Sequence, residues 1–380
     1  MKHSYIKVTL SALILFVSVG ASLAAPTPYY AIVDAGSGGS RVYLYKVDQT
    51  IPSSPAVTQF AFEKNKIKPG ISTDLGDCSG YIEPLFTALN GALVSNGIPQ
   101  EQVTVSLQAT AGMRVISPVE QATCYGEVKS QLQTMIPRAV IGPIQTIQGR
   151  YEGAYKWLTV NYLKGTLSGG QKTAGVLEVG GGSSQMTFES PGKLNTLDFI
   201  SIPFAGKSYG LFSRSYTGLG GNFSREDATD DPNAFQVGFK LASGAIGTGR
   251  YHKGKASAHK TIRDKPVHIP AQARLPALAS FVGVGLYSTV ALDLGLGNQI
   301  SANTIDEAAS VVAQTPYDQN TTNKFEFSRV YSAQLVSEMI RTWFSPSGKL
   351  IVEEAIGGKE ITWTLGAALF LGSNGVLPAQ

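Results

Sequence analysis

Two short stretches of this chain carry the residue types that handle phosphate. In residues 176–188 an apolar run ends in Glu178, followed by Gly180, Gly181 and Gly182, then Ser183, Ser184 and Gln185. In residues 31–44 the same order recurs: Asp34, then Gly36, Ser37, Gly38, Gly39 and Ser40, with Arg41 next. Glycine lets backbone N–H groups converge on one point, and converging N–H groups bind phosphate oxygens. Aligned without gaps, Asp34 falls on Glu178, Gly36 on Gly180, Gly38 on Gly182 and Ser40 on Ser184, 144 positions apart. That spacing is about one domain. A matched pair at that distance points to two similar halves closing on a phosphate.

The elements that must position these residues follow from pattern. Each glycine turn joins two apolar runs, which predicts a strand–turn–strand hairpin over 29–47 and another over 176–188. Residues 100–107 alternate as a strand and run into Ala109, Thr110, Ala111, Gly112 and Arg114, which places Thr110 at the carboxyl edge of a sheet. The plain reading of Arg114 is a solvated charge. Residues 141–147 read as a strand, and a helix follows from Tyr151 with Tyr155, Leu158 and Tyr162 on one face. Glu152 falls in the first turn of that helix, where an acid complements the helix dipole. Residues 163–173 form a glycine-rich connector that imitates a P-loop, but Gln171 separates Gly170 from Lys172 where that motif needs Gly-Lys adjacent. Residues 249–268 are basic and read as a solvated loop or as an electrostatic funnel for an anion. Residues 327–344 read as an amphipathic helix, and 361–370 as a closing element that packs tightly on Gly366.

Composition narrows the function classes. With 380 residues there is room for two core-bearing domains, and 43% hydrophobic with 15% charged residues excludes a disordered chain. A net charge of +4 is too small to argue for nucleic acid. Lys2, His3 and Lys7 precede an apolar run and then Ala24, the pattern of a signal peptide over 1–24, so a secreted or periplasmic protein is expected. Export makes a Cys78–Cys124 disulfide the expected state of the two cysteines. Residues 275–292 are uncharged, but Pro276, Gly283 and Gly285 interrupt them, so they read as buried α/β core and not as a membrane span. The four histidines lie away from both glycine stretches, which leaves no histidine metal site or nucleophile to propose.

Five segments together resemble the apyrase conserved regions of the ecto-nucleoside triphosphate diphosphohydrolases. They are residues 34–41, 109–114, 151–163, 178–185, and Trp363 with Gly366 and Ala367. The resemblance spans nearly the whole chain after residue 30. It implies an α/β fold of two RNase H-like domains, as in actin, hexokinase and the heat-shock chaperone ATPases, with the active site in the cleft between them. The implied division is 25–148 completed by 355–380, and 149–354. It further implies hydrolysis of nucleoside tri- and diphosphates. Glu152 matches the general base, and Ser183 and Gln185 match the residues that hold the attacking water. Gly36, Ser37, Gly38, Gly39, Ser40, Arg41, Thr110, Gly180, Gly181 and Gly182 match phosphate-binding positions. Asp34 and Glu178 match the acids that hold a divalent metal through water, Mg²⁺ or Ca²⁺ with Mn²⁺ as a further option. Such chemistry needs an in-line nucleophile and charge neutralisation more than covalent help.

The chain also departs from that pattern. Glu178 stands where Asp is usual, and Gly38 where Ser or Thr is usual. Gly221 and Leu335 fall at the positions of a base-facing Arg and a base-stacking Tyr, which leaves Tyr331 or Tyr287 as substitutes. A single disulfide and the lack of a second span resemble bacterial members; no nucleic acid, no membrane after signal cleavage and a monomer are expected. The competing readings are an exopolyphosphatase of the same superfamily, an actin- or chaperone-like nucleotide-binding module, and a sugar kinase, for which no Asp base beside a sugar pocket is found.

Overall fold

The structure is a computed structural model that describes residues 28–373, apart from 168–169, 193–195, 227, 266–268 and 323–325. The expected signal peptide lies outside the described residues, as do the centre of the P-loop imitation, His268 and the last residues of the expected 355–380 segment.

The first sheet grows from the predicted hairpin. β1 (Tyr29–Gly36) and β2 (Gly39–Asp48) pair antiparallel, and β3 (Ala56–Phe60) and the short β4 (Lys66–Ile67) both pair with β2. After α1 (Cys78–Ser95), β5 (Val103–Ala109) pairs parallel with β1. After α2 (Ala111–Arg114) and α3 (Pro118–Met135), β6 (Val140–Thr146) pairs parallel with β5. The order is β3-β2-β1-β5-β6. α1 and α3 cover one face, joined by the Cys78–Cys124 disulfide. Asp77 and Ser117 start those two helices by accepting from the backbone N–H groups of Gly80 and Glu120.

α4 (Gly149–Leu163) leads to the second sheet. β7 (Gly175–Val179) and β8 (Ser183–Glu189) form the second hairpin, extended by β10 (Lys207–Thr217) and β9 (Phe199–Phe204). After α5 (Gly221–Glu226) and α6 (Tyr251–Arg263), β11 (Phe281–Gly285) pairs parallel with β7. After α7 (Leu286–Asp293), β12 (Gln299–Ile300), α8 (Ala302–Gln314) and α9 (Arg329–Trp343), β13 (Leu350–Val352) pairs parallel with β11. A small hairpin, β14 (Ala355–Ile356) and β15 (Lys359–Glu360), precedes α10 (Trp363–Gly372).

The two sheets repeat one plan: an antiparallel hairpin with a third antiparallel strand on one side and two parallel strands on the other. Even the register repeats. Asp34 pairs with Arg41 and Glu178 with Gln185, so both partners keep the 144-residue offset. Because a one-residue slip would turn every side chain to the other face, the shared register puts both acids in equivalent places.

Three readings from pattern change here, those of α4, α9 and the basic stretch, while 275–292 keeps its reading as core. α4 starts at Gly149, and it is buried on nearly all sides rather than one, because it lies between the second sheet and α10. α9 is likewise buried all round, packed among α6, α7 and α8, so it is the central helix of the second half and not an amphipathic one. The basic stretch 249–268 is largely α6, a helix whose Tyr251, Ala258 and Ile262 are core. Its Lys255 is spent internally, 2.9 Å from Asp306 Oδ2 and 2.8 Å from Glu338 Oε1. Residues 275–292 become β11 and most of α7 within the core. No helix among the described residues is long and apolar enough to cross a membrane.

Candidate active site

Two glycine turns face each other across one cleft of about 420 Å³. Their approach is close: a Cβ on Gly181 would lie 2.7 Å from Ser37 Oγ, so a side chain there would clash with the opposite turn. The cleft is lined by Asp34, Gly36 to Arg41, Thr110, Glu152, Glu178 and Gly180 to Ser183. Thr110 sits at the carboxyl end of β5, tied by its N–H to the Ala35 carbonyl. Ser40 is buried and accepts from the Tyr81 hydroxyl at 2.9 Å. Arg41 is partly committed elsewhere, 3.2 Å from Glu360 on β15.

Glu152 reaches the cleft because α4 can descend onto the second sheet. Gly149 and Gly153 flank it, and a Cβ on either would lie 2.2 Å from Ser215 Oγ or 2.5 Å from Thr187 Oγ1. Any larger residue would lift the helix and withdraw the carboxylate. Glu152 is 8% exposed and belongs to a closed network. Its Oε2 accepts from Arg114 Nη2 at 2.5 Å and from Gln185 Nε2 at 3.3 Å. Gln185 Nε2 also lies 2.8 Å from Ser183 Oγ, and Arg114 Nε donates to the Ile147 carbonyl at 2.9 Å. Gln185 is behind the lining rather than on it, and its buried Oε1 has no partner. Arg114 corrects the reading of a solvated charge. It is the partly buried clamp on Glu152, brought there because α2 ends where β6 delivers Ile147.

The floor holds the two repeated acids. Burial pushes the Asp34 carboxyl up to about 7, with the charges of Glu152 and Glu178 adding to the rise and Lys156 opposing it. The Trp363 indole donates to Asp34. Burial also pushes Glu178 up, opposed by Lys156, whose Nζ lies 2.8 Å from Glu178 Oε1. Glu178 Oε2 is buried without a partner. An acid pair short of positive charge, with one orphaned carboxylate oxygen, fits a hard divalent cation that keeps several waters. Among the described residues no cluster of three or more His, Cys, Asp or Glu forms a closed metal cage.

Sequence reasoning missed Lys156, Trp363 and Asn222 as cleft residues. Lys156 carried one signal, its place four residues after Glu152 on the same helical face. Asn222 had none: its N–H donates to the Gly181 carbonyl through the start of α5, a contact distant in pattern. Tyr331 and Tyr287 are corrections. Both are wholly buried in the core behind the cleft; Tyr331 donates to the Ser224 carbonyl and Tyr287 to Met339 Sδ, so neither ring has a face free to stack a base. Of the basic side chains in 249–265, none lines the cleft, which removes the funnel.

Residues 23–232, more than half of the chain, match the GDA1/CD39 (nucleoside phosphatase) family. The chain belongs to this family. This member is 34% identical to a guanosine-diphosphatase of Candida albicans over 202 residues, half of the chain and 33% of the relative. It is 25% identical to ectonucleoside triphosphate diphosphohydrolase 6 of Mus musculus over 93% of the chain and 84% of that relative. The matched segment spans 33%, 36% and 42% of three guanosine-diphosphatases, less than half of their length. Among solved structures it resembles a nucleoside triphosphate hydrolase from Neospora caninum, with a TM-score of 0.62 at 16% identity over 90% of this chain and 92% of that one. It also resembles the Aquifex aeolicus PPX-GPPA enzyme, with a TM-score of 0.53 at 14% identity over 90% and 98%. At such identities the likeness speaks for the fold: two RNase H-like α/β halves around a cleft.

Proposed function

We propose that this family member is a secreted apyrase, hydrolysing nucleoside tri- and diphosphates to the monophosphate and phosphate. One observation carries the reading: Glu152, clamped by Arg114 and touching Gln185, opens into the same cleft as both glycine turns. The glycine turns at 36–40 and 180–182, with Thr110 and Arg41, hold the phosphate chain through the N–H groups not already bonded across the turn, as that of Gly180 is to the Ser183 carbonyl. Ser183 Oγ and the unpartnered Gln185 Oε1 orient a water, and Glu152 takes its proton as the water attacks the terminal phosphorus in line. The bond from that phosphorus to the bridging oxygen breaks, the shortened nucleotide leaves with the electron pair on that oxygen, and the attacked phosphorus, now carrying the water oxygen, departs as inorganic phosphate. Asp34 and Glu178 hold a divalent cation, Mg²⁺, Ca²⁺ or Mn²⁺, which when bound neutralises charge on the transferring phosphoryl group. Because Tyr331 and Tyr287 are both buried in the core, the reading gives phosphate contacts the main part in recognition and expects broad base selectivity.

The division we propose runs from 25–148, completed by 355–380, to 149–354. Its support is α10, which packs on β1 and β2 of the first sheet while resting against α4. The test is product order. Purified protein incubated with ATP, ADP, UDP or polyphosphate plus Mg²⁺ is expected to release phosphate from the nucleotides and to lose activity in EDTA. Phosphate from polyphosphate but not from ATP would replace the reading with an exopolyphosphatase.

A further inference from the structure

We propose that Lys156 is a built-in cation that competes with the divalent metal for Glu178 and thereby sets the metal affinity of the cleft. The inference rests on the reading of Asp34 and Glu178 as the metal-holding pair. Lys156 is no surface charge: its side chain is 9% exposed, with Nζ 2.8 Å from Glu178 Oε1 and 3.3 Å from the Ile361 carbonyl. Those two partners come from different elements, β7 and the segment before α10, so the ammonium is held and not merely passing. Its charge also acts on Asp34. The second cation on this floor, Arg114, is taken by Glu152.

The cleft floor therefore sets three carboxylates, Asp34, Glu152 and Glu178, against two cations. One buried oxygen, Glu178 Oε2, has no partner. A divalent cation entering here finds one carboxylate oxygen already engaged by a compact, strongly charged ammonium. It must bind beside that ammonium or displace it, and like charges a few ångströms apart in a poorly screened cleft repel strongly. Lys156 holds the acid pair together without metal and makes the metal bind more weakly than two free carboxylates would bind it. The Glu178 carboxylate can serve the lysine through Oε1 and a cation through the unpartnered Oε2.

The test measures binding without turnover. Mn²⁺ is titrated into the nucleotide-free protein and free Mn²⁺ is followed by electron paramagnetic resonance, for wild type, Lys156→Gln, Lys156→Arg and Asp34→Asn. Circular dichroism checks folding, and Lys156→Met, which keeps the apolar stem, replaces the glutamine variant if that one is unstable. The neutral variants are expected to bind Mn²⁺ about tenfold more tightly or better, while Lys156→Arg, which keeps the charge, stays near wild type. If Mn²⁺ binding is lost in Asp34→Asn but unchanged or weaker in the neutral lysine variants, the role of Lys156 is overturned and the metal pair stands. If Mn²⁺ fails to bind wild type, or binds Asp34→Asn equally well, the metal pair itself is overturned and the competition with it.

Discussion

Glu152→Gln isolates the step on which the proposed mechanism depends. The amide keeps the size of the side chain, and its oxygen can still accept from Arg114, now at 2.5 Å from Oε2, but it cannot take a proton from water. Loss of general-base catalysis typically costs ~10²–10⁴-fold, which is a rise of ~3–5 kcal/mol in the barrier. The structural cost is smaller. The ion pair loses its anion while Arg114 still donates from a charged guanidinium, so stability should fall by ~1–3 kcal/mol. Nucleotide affinity should hold within about threefold, because the glycine turns and Thr110 are untouched. The metal pair should not weaken either: the Glu152 charge pushes both Asp34 and Glu178 up, and its removal relieves that repulsion. The assay is phosphate release from ATP at saturating Mg²⁺, with nucleotide binding by calorimetry and thermal unfolding as controls. A variant retaining more than about a third of the wild-type rate, on a scale where base loss costs at least ~10²-fold, would refute the role of Glu152. Recovery of the lost rate by excess Mg²⁺ would refute it as well, by assigning the defect to metal binding.

Two further outcomes test the frame around the site. Asp306 accepts from Lys255, Ser337, Arg341 and Tyr251; burial alone would push its carboxyl up, but the bonds from Lys255, Ser337 and Arg341 hold it below the usual 3.8. A carboxyl lowered in the fold stabilises in full above 3.8 and loses that contribution as pH falls through its lower folded value. Asp306→Asn should therefore cost ~3 kcal/mol in urea unfolding at pH 7, with the gap to wild type closing only below about pH 4. A gap that stays constant down to pH 2.5, or one that never opens, would contradict this. Gly366→Ala places a Cβ 1.9 Å from the Tyr155 carbonyl, where α10 crosses α4. The helices must separate, which should cost ~1–3 kcal/mol and lower the midpoint of thermal unfolding by about 1–4 °C in a chain of this size. Activity should fall too, since α4 carries Glu152 and α10 carries Trp363; an unchanged melting temperature would show that the crossing is loose.

Local pattern made the chemistry of the cleft legible, because the hairpins that carry it are local. A glycine turn between two short strands sets its own register, so the alignment of Asp34 with Glu178 survives into three dimensions as two equivalent pairings, with Arg41 and Gln185. Two cysteines allow one pairing, and the Cys78–Cys124 bond follows. A strand ending at Ala109 places Thr110 on the ligand edge for the same local reason. What only the tertiary structure decided depends on which faces are covered by segments far away in the chain. Arg114 reads as a solvated charge until β6 and α4 bring Ile147 and Glu152 to it. Tyr331 and Tyr287 carry ring chemistry suited to a base, but α9 is enclosed by α6, α7 and α8, and α7 packs against it, so both rings became core. The basic stretch lost its funnel because α6 folds into the second half away from the cleft lining, where Asp306 and Glu338, some fifty and eighty residues away, take up Lys255. Lys156 shows the limit most clearly. Its helical spacing from Glu152 is local, but its meaning comes from Glu178 on another element and Ile361 at the far end of the chain, contacts that no periodicity in the sequence encodes.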